Sequence, residues 1–216
     1  MEWHDQIISW MTTFILLTGF LTVIFHRLKN ILACYMAQSA ALAMITAAVA
    51  HKVGEPHLYY LAGASFLVKA VVIPAMVRSF MRKLPARVEE KMIVGVSASL
   101  FAAGAMLLLS HVIAGATLGE TAALVDELTI TLTLFLLGIF LMMTRKNALT
   151  QMMGILFMEN SVTTAGILIA GGMSVVVELG IMLDVMVGIL VMGTLLFRIQ
   201  SAFASIETDE MTTLHG

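Results

Sequence analysis

Charge is what this sequence lacks most. Of its 216 residues only 12% are Asp, Glu, Lys or Arg, while 60% are hydrophobic and the mean hydropathy is +0.98. A soluble domain carries about 25% charged residues, so a water-soluble globule is excluded. Cysteine is almost absent. Cys34 stands alone in an apolar run, which leaves no disulfide framework and no ligand set for an iron–sulfur cluster or a thiolate zinc site. Of the prolines Pro56, Pro74 and Pro85, Pro74 is the one that falls inside a long apolar run. No Walker loop, dinucleotide fingerprint, nucleophile elbow or zinc-binding helix occurs, so neither a catalytic site nor a cofactor or metal site is expected. The net charge of −2 gives no reason to invoke nucleic acid.

What is present is apolar sequence almost end to end. A spanning helix takes roughly 20 apolar residues, and the stretches 6–26, 30–51 and 92–119 contain no Asp, Glu, Lys or Arg at all. Runs of this length without period-2 alternation read as helices, whose backbone satisfies its own hydrogen bonds in hydrocarbon. Loop residues then divide the rest. The expectation is an all-α polytopic membrane protein with spans at 7–25, 31–50, 58–80, 92–114, 124–144, 152–170 and 175–197. The start, with Glu2 and Asp5 ahead of Ile7, lacks the basic region of a cleaved signal peptide, so the first span is read as retained. The whole chain, 1–216, forms one membrane domain, with a four-helix part at 1–114 and a three-helix part at 115–216. Lys29-Asn30-Ile31-Leu32 and Lys146-Asn147-Ala148-Leu149 open spans 2 and 6 alike, a weak sign that spans 1–3 and 5–7 are related triplets.

Basic residues sort by side. Arg27, Lys29, Arg78, Arg82, Lys83, Arg87, Lys91, Arg145, Lys146 and Arg198 are ten of the twelve, and all fall at the end of odd-numbered spans or after them. Basic loops stay cytoplasmic, which places the N-terminus outside and the C-terminus inside. Trp3, Trp10, Tyr59 and Tyr60 then lie where an outer aromatic belt belongs. Lys52 is alone on the outer side, and Lys69 is left over in the middle of span 3.

A charge at mid-bilayer costs about 2.5 to 3.5 kcal/mol on insertion scales. Three residues incur it. Lys69 is midway along span 3; Glu159 and Asp184 lie about 11 and 14 Å into spans 6 and 7, at a rise of 1.5 Å per residue. All three share one depth, which suits lateral proton hand-off. Pro74 removes a backbone donor one turn from Ala70, and Asn160, Ser161, Thr163 and Thr164 supply amide and hydroxyl groups beside Glu159. The competing reading is a fixed salt bridge that sets helix register. Glu178, Asp126, Glu127 and His111 lie nearer the outer boundary, where snorkelling is cheap, and are secondary candidates. The 18 methionines lack ligand spacing and read as packing residues. Gly138, Gly154, Gly166, Gly188 and Gly193 mark expected close helix contacts.

Ser65-Phe66-Leu67-Val68-Lys69 running on to Pro74, then Met158-Glu159-Asn160, then Glu178-Leu179-Gly180-Ile181 with Asp184, resembles the membrane subunit called component E of hydrogenase-4 and formate hydrogenlyase complexes. The likeness takes in Cys34, Gln38 and Ser39 and the tail Thr213-Leu214-His215-Gly216. Spans 5–7 are also similar to the K subunit of complex I and the C component of multisubunit sodium/proton antiporters. Arg145-Lys146-Asn147-Ala148-Leu149 matches the basic turn, and Asp184-Val185-Met186-Val187-Gly188 matches the segment with the second carboxylate. The first carboxylate departs from that pattern. Aligned on Gly154 and Asn160 it would fall at Leu156, three residues before Glu159.

The resemblance implies a non-redox membrane-arm subunit of a complex I-like nickel–iron hydrogenase in a bacterial or archaeal cytoplasmic membrane. Its implied partners are antiporter-like subunits, a homologue of the quinone-chamber subunit and a peripheral hydrogenase arm, in some complexes with formate dehydrogenase. Glu159 and Asp184 would carry protons and Lys69 would modulate them. A subunit of a cation/proton antiporter, or a stand-alone proton-coupled transporter, fits the same buried charges. Against the stand-alone transporter, the sequence lacks a pair of broken helices facing a substrate cavity.

Overall fold

The computed structural model describes residues 3–83, 94–119, 122–169, 180–191 and 193–195. Among these there is no β-sheet. The elements are α1 (Trp3–Ile24), α2 (Leu28–Val53), α3 (Pro56–Ser65), a π-helical segment (Phe66–Val72), α4 (Ile73–Lys83), α5 (Val96–Leu118), α6 (Ala122–Thr144) and α7 (Ala148–Leu168). A shorter apolar helix, Gly180–Leu195, follows. Five helices are long and apolar enough to cross a membrane: α1, α2, the continuous rod from α3 through α4, α5 and α6. α7 is equally long at 21 residues but more polar, and its polar side chains are buried against its neighbours.

Helix ends follow local chemistry. α2 stops at Gly54, which adopts the left-handed conformation with φ 75° and returns its N–H to the Ala50 carbonyl; a residue without a Cβ takes that conformation at no cost. α5 runs 96–118 where 92–114 is expected from sequence. Gly95 is its N-cap, and the helix passes Gly115 to stop at Gly119, which has φ 66°. Asn147 caps α7, its side chain accepting from the Leu149 N–H at 3.0 Å. Asn30, its counterpart in the suspected repeat, lies inside α2, whose N-cap is Arg27 and carries no side-chain capping bond. The two matched tetrapeptides therefore do different work.

Hydroxyls along the helices turn inward on their own backbone. Thr12, Thr46, Thr129, Thr133 and Thr144 each donate to the carbonyl four residues earlier, which lets a threonine sit in an apolar bundle without an open donor. α2 is the centre of the bundle, 67% of its apolar window being buried, and α5 is the periphery at 17%. α2 packs on α1, α3, the π segment and α7; α6 packs on α7, α5 and α1. The largest apolar cluster joins Leu28, Ile31 and Tyr35 of α2, Ile73 and Val77 of α4, Met153 and Leu156 of α7, and Ile189.

Small residues set the closest approaches. A Cβ on Gly138 would lie 2.9 Å from the Gly154 carbonyl, and one on Gly154 would lie 2.7 Å from the Gly138 carbonyl, so α6 and α7 meet backbone to backbone. Gly193 lies against the Phe80 ring, whereas a Cβ on Gly188 would meet nothing. Gly188 is thus not a contact glycine among the described residues.

One end of the bundle gathers the N-terminus of α1, the C-terminus of α2 and the start of α3. There Lys52 pairs with Asp5 at 3.0 Å, Trp3 lies 5.0 Å from the His51 ring and His51 bonds the Tyr59 hydroxyl at 3.2 Å. Trp3, Trp10, Tyr59 and Tyr60 are all exposed. At the other end Arg145 is buried between α6 and α7. It donates to the Val23 and Phe25 carbonyls at 3.2 and 2.9 Å, placing a cation on the unsatisfied carbonyls of the α1 terminus. In sequence Arg145 reads as one more basic edge residue; in the fold it is a clasp.

Candidate functional site

Lys69 lies in the π segment, fully buried. The Ile73 N–H reaches back five residues to the Val68 carbonyl, and Pro74 has no N–H. The Lys69 carbonyl therefore loses both its α-type donor, residue 73, and its π-type donor, residue 74. Sequence alone points to the Ala70 carbonyl; the change to an i−5 register moves the loss to Lys69 itself. π-helical turns inside α-helices recur at functional sites.

Across from it stands Glu159 of α7. Lys69 Nζ is 2.6 Å from Glu159 Oε1, with side-chain exposures of 0% and 5%. Nζ also donates to Thr163 Oγ1 at 2.9 Å, and that hydroxyl lies 3.1 Å from Glu159 Oε1 and 3.0 Å from the Glu159 carbonyl. Lysine, threonine and one carboxylate oxygen close a triangle. The second oxygen, Oε2, is buried with no protein hydrogen-bond partner. Glu159 thus has one saturated oxygen and one bare one.

The neighbouring residue extends the polar seam. Asn160 Nδ2 donates to Gln38 Oε1 and to Ser39 Oγ, both at 3.2 Å, and Gln38 Nε2 donates onward to the Ile15 carbonyl at 3.2 Å. Ser161 Oγ donates to the Thr131 carbonyl at 2.5 Å. The stretch 159–161 of α7 is therefore tied to α1, α2, α6 and the π segment by polar contacts in the middle of an apolar bundle. No group of three or more His, Cys, Asp or Glu able to hold a metal occurs among the described residues.

The structure brings Lys69 and Glu159 together and leaves the third mid-membrane charge apart. Asp184 is on the outer face of Gly180–Leu195, exposed beside the exposed Leu183, Val187 and Val191. Among the described residues it has no ion-pair or hydrogen-bond partner. Glu178 lies outside the described residues. Asp126 is exposed and Glu127 half-buried at the start of α6. His111 is exposed on α5, its Nδ1 3.4 Å from Thr129 Oγ1 of α6. Sequence reasoning reached Gln38 and Ser39 through the family resemblance alone and missed Tyr35, although 35, 38 and 39 lie within about one turn on one side of a helix and inside the charge-free stretch 30–51.

Fold and site together define an all-helical, multi-pass membrane protein organised around a buried lysine–glutamate pair. Comparison with known proteins narrows this class. Hydrogenase-4 component E of Escherichia coli K12 is 25% identical over 213 residues, 98% of this chain and 99% of the relative, and the Shigella flexneri protein of the same name matches equally. An uncharacterized protein of Mycobacterium tuberculosis is 25% identical over 93% of this chain and 92% of its own length. No family model matches, and no solved structure does. The chain is a distant homologue of hydrogenase-4 component E along nearly its full length.

Proposed function

We propose that this chain is a non-redox membrane-arm subunit of a hydrogenase complex of the hydrogenase-4 or formate hydrogenlyase type, and that Glu159, paired with Lys69, takes up and releases protons within it. The observation that carries the reading is the 2.6 Å ion pair, buried in a π segment at mid-bundle, with one carboxylate oxygen held and the other bare. Lys69 supplies the counter-charge to the Glu159 carboxylate within the chain. Asp184, on the outer face, takes the role of a second carrier at a boundary with a neighbouring antiporter-like subunit. The topology belonging to this reading has seven spans, the N-terminus outside and the C-terminus inside, in a bacterial or archaeal cytoplasmic membrane. Alternation of the helix ends supports it, since the α1 start and α2 end share one pole while the α1 and α6 ends share the other. The peripheral arm carries the hydrogenase chemistry and all electron transfer.

The test removes charge without removing volume. In the assembled complex, Glu159→Gln is expected to preserve hydrogenase turnover by the peripheral arm with an artificial acceptor and to abolish coupled proton movement in sealed vesicles. Unchanged proton movement would refute the carrier role and leave Lys69–Glu159 as a register-setting salt bridge.

A further inference from the structure

Three buried polar atoms around α7 have hydrogen-bonding capacity left open: Glu159 Oε2 and Asn160 Oδ1, which meet no protein donor, and the Tyr35 hydroxyl, which lies beside the Ser39 hydroxyl but makes no well-aligned bond to protein. They belong to one neighbourhood. Glu159 and Asn160 are consecutive, and Asn160 bonds Ser39, which lies one helical turn after Tyr35 on α2. The Tyr35 ring packs edge-on against Phe157 of α7, with centroids 5.9 Å apart and planes at 83°, and its hydroxyl lies within electrostatic reach of Glu159. Tyr35 is fully buried.

The hydrogen-bond types decide what fits between them. Glu159 Oε2 in the carboxylate form and Asn160 Oδ1 are acceptors; the Tyr35 hydroxyl is a donor. One water molecule donates two hydrogen bonds and accepts one, which satisfies all three atoms, and buried waters typically make about three such bonds to otherwise unsatisfied groups. A metal cation would find two acceptors and face the Lys69 ammonium already seated on the same carboxylate. An apolar group would leave three desolvated polar atoms unpaired, which native interiors avoid.

We propose that Tyr35, Asn160 and Glu159 bind one buried water, and that Tyr35 is a positioning residue that fixes this water on the bare oxygen of Glu159. Resting on the proton-carrier reading, the proposal gives that carrier its hydrogen-bonded exit. Lys69 and Thr163 occupy Oε1, so a proton arriving at or leaving Glu159 passes over Oε2 through the water. A proton that reaches the site arrives on this water as hydronium and moves to Oε2, leaving a neutral water and a neutral carboxyl; release runs the same step in reverse. The Tyr35 O–H bond stays intact; its role is to point the water.

The test uses the full complex purified in mild detergent, with Tyr35→Phe beside Glu159→Gln. Phenylalanine keeps the ring and its contact with Phe157, so the bundle is retained. A cryo-electron microscopy map that resolves ordered water is expected to show one peak within hydrogen-bonding distance of all three atoms, lost in Tyr35→Phe. Coupled proton movement in vesicles is expected to fall about tenfold in Tyr35→Phe, the loss of one net hydrogen bond's worth of positioning, with a raised solvent isotope effect that a packing defect would not produce. A wild-type map without that water overturns the site. Wild-type proton movement in Tyr35→Phe overturns the positioning role. Unchanged proton movement in Glu159→Gln refutes the carrier reading instead, and the map still decides whether the water is bound.

Discussion

Glu159 and Asp184 are each a lone carboxylate in an apolar stretch of a helix, yet the fold treats them in opposite ways. α7 turns Glu159 inward, where a lysine, a threonine and an asparagine neighbour meet it within one bundle. Gly180–Leu195 turns Asp184 outward among Leu183, Val187 and Val191 and buries Met182 and Ile189 instead. The contrast separates two tasks. The first carboxylate has its counter-charge supplied by its own chain; the second has none among the described residues, and since a bare charge facing lipid costs about 2.5 to 3.5 kcal/mol, the proposed assembly assigns its counter-charge to a neighbouring subunit.

The sharpest way to break this comparison is to remove the internal partner. Lys69→Met takes the counter-charge from the buried Glu159, and is expected to cost about 3 to 5 kcal/mol. The loss would be seen as failure to accumulate in the membrane or as a large drop in thermal stability in detergent. Lys69→Met combined with Glu159→Gln should recover most of it; no recovery would mean that the pair is not the source. Next in size is Arg145→Met, which strips two charge-assisted hydrogen bonds from the α1 terminus and is expected to cost about 2 to 3 kcal/mol. Cysteine cross-linking between the 25 and 145 turns reports whether that end has opened. Gly154→Leu should cost about 1 to 3 kcal/mol by forcing α6 from α7, whereas Gly188→Ala, with open space at its Cβ, should change the melting temperature little. Asp184→Asn is expected to destabilise the isolated chain least, because it breaks no contact among the described residues and removes a charge from the apolar face. Its loss should appear instead as weaker retention of neighbouring subunits during purification; a large stability loss in the isolated chain would place Asp184 inside the bundle and dissolve the contrast.

Much of this was legible before folding. The charge-free runs located the helices because twenty apolar residues have few other fates, and Lys69 and Glu159 stood out against a background with almost no competing charge. Errors gathered at ends and faces. α5 begins at 96 rather than 92 because Gly95, and not the basic run before it, ends the loop. Gly138 and Gly154 are contact glycines as expected, while Gly188, among the described residues, is not. Arg145 was counted with the basic edge, since a residue count by side cannot show that a side chain turns back to bond carbonyls of another helix. Tyr35 is not legible in the sequence because tyrosine in an apolar run reads as packing, and only the fold sets its hydroxyl among Ser39, Asn160 and Glu159.

The sequence by itself determined the solvent, the helical class and the residues whose burial demands an explanation, because hydrocarbon imposes its rule on every residue independently. Only the tertiary structure decided which of those residues meet. Lys69 and Glu159 are ninety positions apart, and whether they form a pair depends on how α7 rotates about its axis and on the π register before Pro74. Depth along the membrane is additive along a helix and can be counted. Azimuth is set by packing against other helices, through Gly138 on Gly154 and Gly193 on Phe80. It placed Glu159 inside and Asp184 outside.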